Sequence, residues 1–275
     1  MLLAITINES AEDAVWVELV GTYNDLLSYG QWLKSKGGAK CCRFVGNSLY
    51  ALLGALLDVG GIVTVDDEET KRIWTTDNDK MLGVLRDAGV LRDYQCELVR
   101  AGVCAPLGRG VLKAPPGAGK TRVCAAICVF AANNGYICWH YVVKSSELVQ
   151  QALHGMRTAI DEMLLILDAN QLPYIRPEIS GSTYANIKVH GDEFDGLLID
   201  ECHHLPTRTR AIPYAACRAR YRIGLSATPT DRSDEDGNAL VKGLLGPVLI
   251  SIPRERIVNA GHLAGSIVKQ VPIGA

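Results

Sequence analysis

The stretch Ala114-Pro115-Pro116-Gly117-Ala118-Gly119-Lys120-Thr121 has the spacing of a phosphate-binding loop: Ala or Gly, four residues, then Gly-Lys and a hydroxyl residue. A phosphate chain needs backbone N–H groups that approach it closely, and glycines at 117 and 119 remove the Cβ atoms that would intrude. A helix that follows such a loop points its N-terminal dipole at the anion. Pro116, Gly117, Ala118, Gly119, Lys120, Thr121 and Arg122 are therefore the candidate phosphate-binding residues. Lys120 is placed to reach the β- and γ-phosphates, and the Thr121 hydroxyl to take Mg²⁺.

The second constellation is Leu197-Leu198-Ile199-Asp200-Glu201-Cys202-His203-His204. An apolar strand that ends in Asp-Glu presents two carboxylates at the C-terminal edge of a parallel sheet, where ligands bind. Asp200 is placed to hold Mg²⁺ through water, and Glu201 to orient and activate an attacking water.

These residues need a scaffold, and the pattern around them supplies one. Gly110–Lys113 reads as a short strand and Lys120–Ala132 as a helix. Tyr136–Val143 is a continuous apolar strand, and Ser145–Thr158 an amphipathic helix capped by its serine. Gly196–Ile199 and Arg222–Leu225 are further strands. This alternation predicts an α/β fold, a mostly parallel sheet flanked by helices. Nearer the N-terminus, Leu2–Ile7, Val15–Val20 and Gly61–Val65 read as strands, and Asn24–Ser35 and Ser48–Leu57 as helices. That is a small α/β unit preceding the first.

Composition narrows the function. The 275 residues carry 28 Lys+Arg against 30 Asp+Glu, so no global basic field marks a nucleic-acid binder, and any such surface is local. Residues 1–90 hold 8 basic and 13 acidic side chains, and residues 91–275 hold 20 and 17. No apolar run has the ~20 residues of a membrane span, and the N-terminus has no signal-peptide pattern. The nine cysteines include no C-x-x-C pair, which disfavours zinc and fits buried, reduced thiols in an intracellular protein. The expected location is cytoplasmic or nucleoid-associated.

The motifs together resemble the superfamily 2 helicases and translocases. Asp200-Glu201-Cys202-His203 is similar to their DEAD/DEAH-type box in a DECH form, and Ser226-Ala227-Thr228-Pro229 to their SAT motif. Leu91-Arg92-Asp93-Tyr94-Gln95 resembles the LRxYQ element of the XPB-like and UvsW-like branch, which also contains restriction-enzyme translocases. Val142–Gln151 resembles motif Ia, and Ser182-Thr183-Tyr184 the Ib region. The resemblance implies a RecA-like P-loop domain that uses ATP and Mg²⁺. It places Arg92 and Gln95 at the adenine, and makes His203, Ser226 and Thr228 the residues coupling hydrolysis to movement. Lys144, Ser145 and Thr183 become candidate nucleic-acid contacts.

The implied division is a small N-terminal α/β domain at 1–85, contacting DNA or protein, a RecA-like domain at 86–255, and the start of a linker at 256–275. The implied function is an ATP-dependent DNA helicase or translocase acting in repair, recombination or replication, its chemistry the attack of water on the γ-phosphate. Three alternatives stay open: an RNA helicase, the motor segment of a restriction or defence complex, and a non-hydrolysing nucleotide-dependent binding module. Such motors take arginines from a second RecA-like domain, and only about 45 residues follow Pro229. The expectation is a fragment, or a motor whose second half is a separate chain, hydrolysing ATP poorly alone. The implied partners are DNA and that second domain, in cis or in trans, with no membrane.

Weaker signals carry two readings each. Arg208, Arg210, Arg218, Arg220 and Arg222 form either a phosphate-contacting patch or a solvated helix face. Trp16, Trp32, Trp74 and Trp139 are expected in the core rather than stacked on bases, and Asp231–Asp236 in an exposed loop.

Overall fold

The structure is a computed structural model. It describes residues 74–105, 108–186, 193–205, 219–229, 241 and 244–264, and the backbone of six strands nearer the N-terminus. Those strands are β1 (Leu2–Ile5), β2 (Asn8–Ser10), β3 (Ala14–Glu18), β4 (Gln31–Lys34), β5 (Lys40–Val45) and β6 (Ile62–Val65). β1 and β6 pair in parallel, and the other four form an antiparallel sheet in the order β2-β3-β5-β4.

One expectation fails here. The second half of the helix predicted at Asn24–Ser35 is strand β4, with Trp32 in register with Cys42 of β5. Gly30 interrupts the helical pattern, and cross-strand pairing decides the segment after it. The helix expected at Ser48–Leu57 and the loop at Asp231–Asp236 lie outside the described residues. So do Arg208, Arg210 and Arg218 and the side chains of Trp16 and Trp32.

The rest is one α/β body. Its elements are α1 (Thr76–Asp87), α2 (Asp93–Val103), β7 (Arg109–Lys113), α3 (Lys120–Ala132), β8 (Cys138–Val143), α4 (Ser146–Ala169), β9 (Glu178–Thr183), β10 (Gly196–Asp200), β11 (Tyr221–Ser226), β12 (Val248–Ser251) and α5 (Arg254–Asn259). β7 to β12 form a six-stranded sheet in the order β12-β7-β11-β10-β8-β9, every neighbouring pair parallel. The central strands are covered on both faces, so they read as unbroken apolar runs. Tyr141, Val143, Leu198 and Ile223 pack into one cluster with α1 to α4, whereas Val142, Leu197 and Ile199 alternate into a second.

Helix α3 is buried from Val123 to Ala132, as a helix inserted between a sheet and its neighbouring helices must be. Helix α4 runs past the expected end at Thr158 because its apolar stripe continues through Ile160, Met163 and Leu167. Ser145 is its N-cap residue, but its hydroxyl makes no capping hydrogen bond. Met81 and Leu85 of α1 enter the first cluster, and Trp74 stacks on Phe130 with centroids 5.5 Å apart. Residues on both sides of position 85 thus share one core. Trp139 is fully buried, as expected. Arg222 is neither on a helix nor solvated: it is 4% exposed within the central strand β11.

Of the described cysteines, Cys96, Cys124, Cys128 and Cys202 are buried, and burial pushes their thiols up, Cys96 to about 11. Among the described residues no helix is long and apolar enough to cross a membrane.

His140, on β8, is held between two serines, with Nδ1 2.8 Å from Ser180 Oγ and Nε2 2.9 Å from Ser182 Oγ. Burial lowers its pKa from 6.5 to about 4. The unfolded chain therefore binds a proton between those values that the folded chain refuses, and stability falls as pH drops from 6.5 toward 4. The expected loss at pH 4.5 is about 2 kcal/mol. Denaturant titrations at pH 7 and 4.5 check it: His140→Asn should show a smaller acid loss than the unsubstituted protein by that amount.

Candidate active site

The ends of the central strands set the site. Lys113 lies beside Ser226 and Leu225 beside Asp200 in the sheet register. The loop after β7, the acid pair after β10 and the Ser-Ala-Thr after β11 therefore share the C-terminal edge, where open parallel sheets take ligands.

The loop has the backbone that its glycines permit. Gly117 and Gly119 have φ of 80° and 76°, the left-handed region that side chains with a Cβ disfavour. A Cβ at Gly119 would also lie 2.4 Å from Gln95 Nε2. Gly119 caps α3 without a side chain to occupy the helix end, so the first turn presents its peptide N–H groups toward the loop. Pro116 and Gly117 are exposed at the tip, and Ala118 is buried.

The residues expected around the base are engaged with the protein. Gln95 is 3% exposed; its Oε1 accepts from the Arg92 N–H at 3.0 Å and its Nε2 donates to the Ala118 carbonyl at 2.9 Å. The Arg92 guanidinium donates to the Tyr94 hydroxyl, which donates to the same Ala118 carbonyl. Gln95 thus ties the start of α2 to the phosphate loop. Arg122 donates to the Val90 carbonyl and pairs with Glu162 at 2.8 Å, and it also lines the cleft beside Gly119 and Thr121.

The acid pair is organised by its neighbours. Lys120 Nζ donates to Glu201 Oε1 at 2.9 Å, with the lysine side chain only 11% exposed. Tyr141 lines the same cleft as Thr121 and Asp200 and interacts with both. Burial raises the Asp200 pKa from the ordinary carboxylate range, against the pull of Lys120. His203 Nδ1 lies 2.8 Å from Ser226 Oγ and 3.3 Å from Glu201 Oε2, and Ser226 Oγ accepts the Thr228 N–H at 3.1 Å. The three expected coupling residues are therefore joined, in one chain of contacts, to the carboxylate expected to activate water.

Thr121 and Asp200 supply a hydroxyl and a carboxylate, the oxygen donors that a hard cation prefers. Among the described residues there is no cluster of three or more His, Cys, Asp or Glu able to hold a metal alone. The donor set thus fits Mg²⁺ arriving with phosphate oxygens rather than a resident ion. A cleft of about 700 Å³ opens from these groups toward α4, lined among others by Thr121, Tyr141, Lys144, Gln151, His154 and Glu201. Of the candidate nucleic-acid contacts, Lys144 is exposed on this cleft and Ser145 half-buried, whereas Thr183 is buried, 9% exposed.

Sequence reading missed Tyr141 and Tyr184. Tyr184 was visible only as part of a motif, and its hydroxyl donates to the carbonyls of both Asp200 and Glu201.

Comparison with known proteins adds to this geometry. The sequence model of the family described as "Type III restriction enzyme, res subunit" matches residues 89–231. The "DNA 3'-5' translocase XPB2" of Sulfurisphaera tokodaii is 31% identical over 168 residues, 60% of this chain and 36% of that protein. The "Putative DNA 3'-5' helicase Rad25" of Haloarcula marismortui is 32% identical over 186 residues, 63% of this chain and 28% of that one. The chain thus spans 28–36% of the length of these curated relatives. Among solved structures, the UvsW helicase from bacteriophage T4 superposes with a TM-score of 0.51 at 17% identity, over 82% of this chain and 86% of that one, a likeness of fold.

Proposed function

We propose, from the premise that this chain belongs to the Type III restriction enzyme, res subunit family and carries the RecA-like domain of a superfamily 2 helicase, that it is the ATP-binding motor domain of a DNA translocase or helicase. The observation that carries the reading is the joining of Lys120, Glu201, Asp200 and Thr121 at one sheet edge, with Lys120 Nζ 2.9 Å from Glu201. Bound Mg²⁺ would neutralise phosphate charge and polarise the γ-phosphate.

The chain's own residues do the rest. The loop N–H groups and Lys120 would hold phosphate oxygens, and Thr121, with Asp200 acting through water, would hold the ion. Glu201 orients the water and takes its proton. His203, Ser226 and Thr228 connect Glu201 to the end of β11, from which a change at the phosphates reaches the rest of the motor. Completion of the transition state requires an arginine from a second RecA-like domain, in cis or in trans. The division into a small N-terminal domain, a RecA-like domain and the start of a linker belongs to this reading, with the first boundary moved from 85 to before α1, whose Met81 and Leu85 pack in the RecA-like core. DNA is the proposed track because relatives matching the motor segment are named for DNA translocation and unwinding.

Steady-state ATP hydrolysis, with no polymer and with single-stranded, duplex or forked DNA and RNA, tests the proposal. Nucleotide binding with DNA-stimulated turnover, in this chain or after addition of the second domain, supports it. Stimulation by RNA alone transfers the reading to an RNA helicase. Absence of nucleotide binding overturns it.

A further inference from the structure

Glu201 has φ 48° and ψ 50°. Among the described residues only Gln171 shares a positive φ without being glycine. A side chain with a Cβ stays in the left-handed region only where the surroundings fix it. Here a hydroxyl from beyond another strand meets this backbone. Tyr184 follows β9, the edge strand, where its N–H donates to the Val143 carbonyl at 3.2 Å. Its ring is 4% exposed and packs in a cluster with Val142, Ile199, Cys202 and Leu205. Its hydroxyl reaches the end of β10, sharing its proton between the carbonyls of Asp200 and Glu201, the latter at 3.1 Å. The ring thus bridges β9 to β10 past the intervening β8.

We propose that Tyr184 is a positioning residue for Glu201: its hydroxyl holds the Asp200–Glu201 carbonyls and so fixes the direction in which the Glu201 carboxylate leaves the chain. This rests on the reading of Glu201 as the group that activates water. It also makes the edge strand part of the catalytic setting. Strand β8 ends beside β9, and Lys144 and Ser145 follow it.

Tyr141 gives the contrast. Its side chain lies beside Thr121 and Asp200, the residues read as the cation side. The two tyrosines therefore act on different steps.

Tyr184→Phe keeps the buried ring and deletes only the donor. Three readouts test it. In the nucleotide-free protein, the amides of His204 and Leu205, which close the turn onto Glu201 and Cys202, should exchange with solvent about tenfold faster. Affinity for a fluorescent ATP analogue with Mg²⁺ should stay within about threefold, while single-turnover ATP cleavage, with DNA and the second domain present, falls about tenfold or more. In a Glu201→Gln background the same substitution should cost nothing further. Tyr141→Phe should do the reverse, raising the Mg²⁺ concentration needed for analogue binding. Replacement of Tyr184 by 4-aminophenylalanine, which keeps a donor, should restore both exchange and cleavage.

Unchanged exchange and cleavage in Tyr184→Phe would overturn the proposal. Equal losses of affinity and cleavage would also overturn it, since they mark general disorder. A third overturning result needs no variant: in the unsubstituted protein, exchange at His204 and Leu205 as fast as in an open loop. Failure of the parent protein to bind nucleotide removes the ATP reading alone, and the exchange comparison still decides the brace.

Discussion

Lys120→Ala is expected to remove measurable nucleotide binding. The lysine has one contact that the structure shows and one role that the proposed function assigns to it. In the absence of nucleotide its ammonium neutralises Glu201 at 2.9 Å from a position only 11% exposed. With phosphates bound, on the proposed reading, it would supply charged hydrogen bonds at a helix N-terminus. Each charged hydrogen bond in such a site contributes roughly 1.5–3 kcal/mol, so losing two weakens binding by about 100-fold or more. Alanine also leaves Glu201 facing incoming phosphate with no intervening cation, which adds like-charge repulsion. Titration of a fluorescent ATP analogue, with Mg²⁺ present, measures it. Affinity equal to that of the unsubstituted chain would refute the assignment of the loop. The fold should survive, because Lys120 sits at the first turn of α3 while the buried part of that helix begins at Val123.

The elements around this site were legible for a physical reason. Strands covered on both faces need apolar residues at every position, and β10 and β11 show that in Leu197–Ile199 and Ile223–Leu225. Helix α3 was legible at both ends because a glycine precedes it and Asn133-Asn134-Gly135 follows it. Legibility fails where a segment's state depends on a partner distant in sequence. Gln31–Lys34 is a strand because Lys40–Val45 lies alongside it. Arg222 is buried because it belongs to the middle of the sheet, although its spacing from Arg218 and Arg220 looks like a surface pattern.

The same distinction holds inside the site. The phosphate loop and acid pair are contiguous motifs whose residue types state their chemistry, and the fold brings them within hydrogen-bond distance. The destinations of Gln95, Arg122 and Tyr184 are not contiguous. Gln95 finds the Ala118 carbonyl across 23 positions, and Tyr184 the Asp200 carbonyl across 16. A motif names the residue types needed at a site. Which atom each side chain reaches is settled by how α2 and β9 pack against the loop and the acid pair.

Glu201→Gln is expected to separate binding from cleavage. The amide keeps the shape of the side chain but cannot take a proton from water, and loss of a positioned general base lowers the rate by about 10²–10⁴-fold. Binding should move the other way. In the nucleotide-free state Lys120 is committed to Glu201, and phosphate must displace that carboxylate. Glutamine removes the competing charge, so the lysine is released at lower cost. The pair is partly exposed, with Glu201 34% accessible, which limits the gain to about 0.2–1 kcal/mol, or a few-fold in affinity. The His203 contact, 3.3 Å from Glu201 Oε2, weakens in the same variant, leaving the imidazole with Ser226. Analogue titration and single-turnover cleavage, run on the same preparation with DNA and the second RecA-like domain, measure both effects. Tighter binding with near-absent cleavage identifies Glu201 as the base and its pair with Lys120 as a competitor of phosphate. Ordinary turnover would assign the proton transfer to another group, and weaker binding would show that Glu201 helps to hold the nucleotide rather than excluding it.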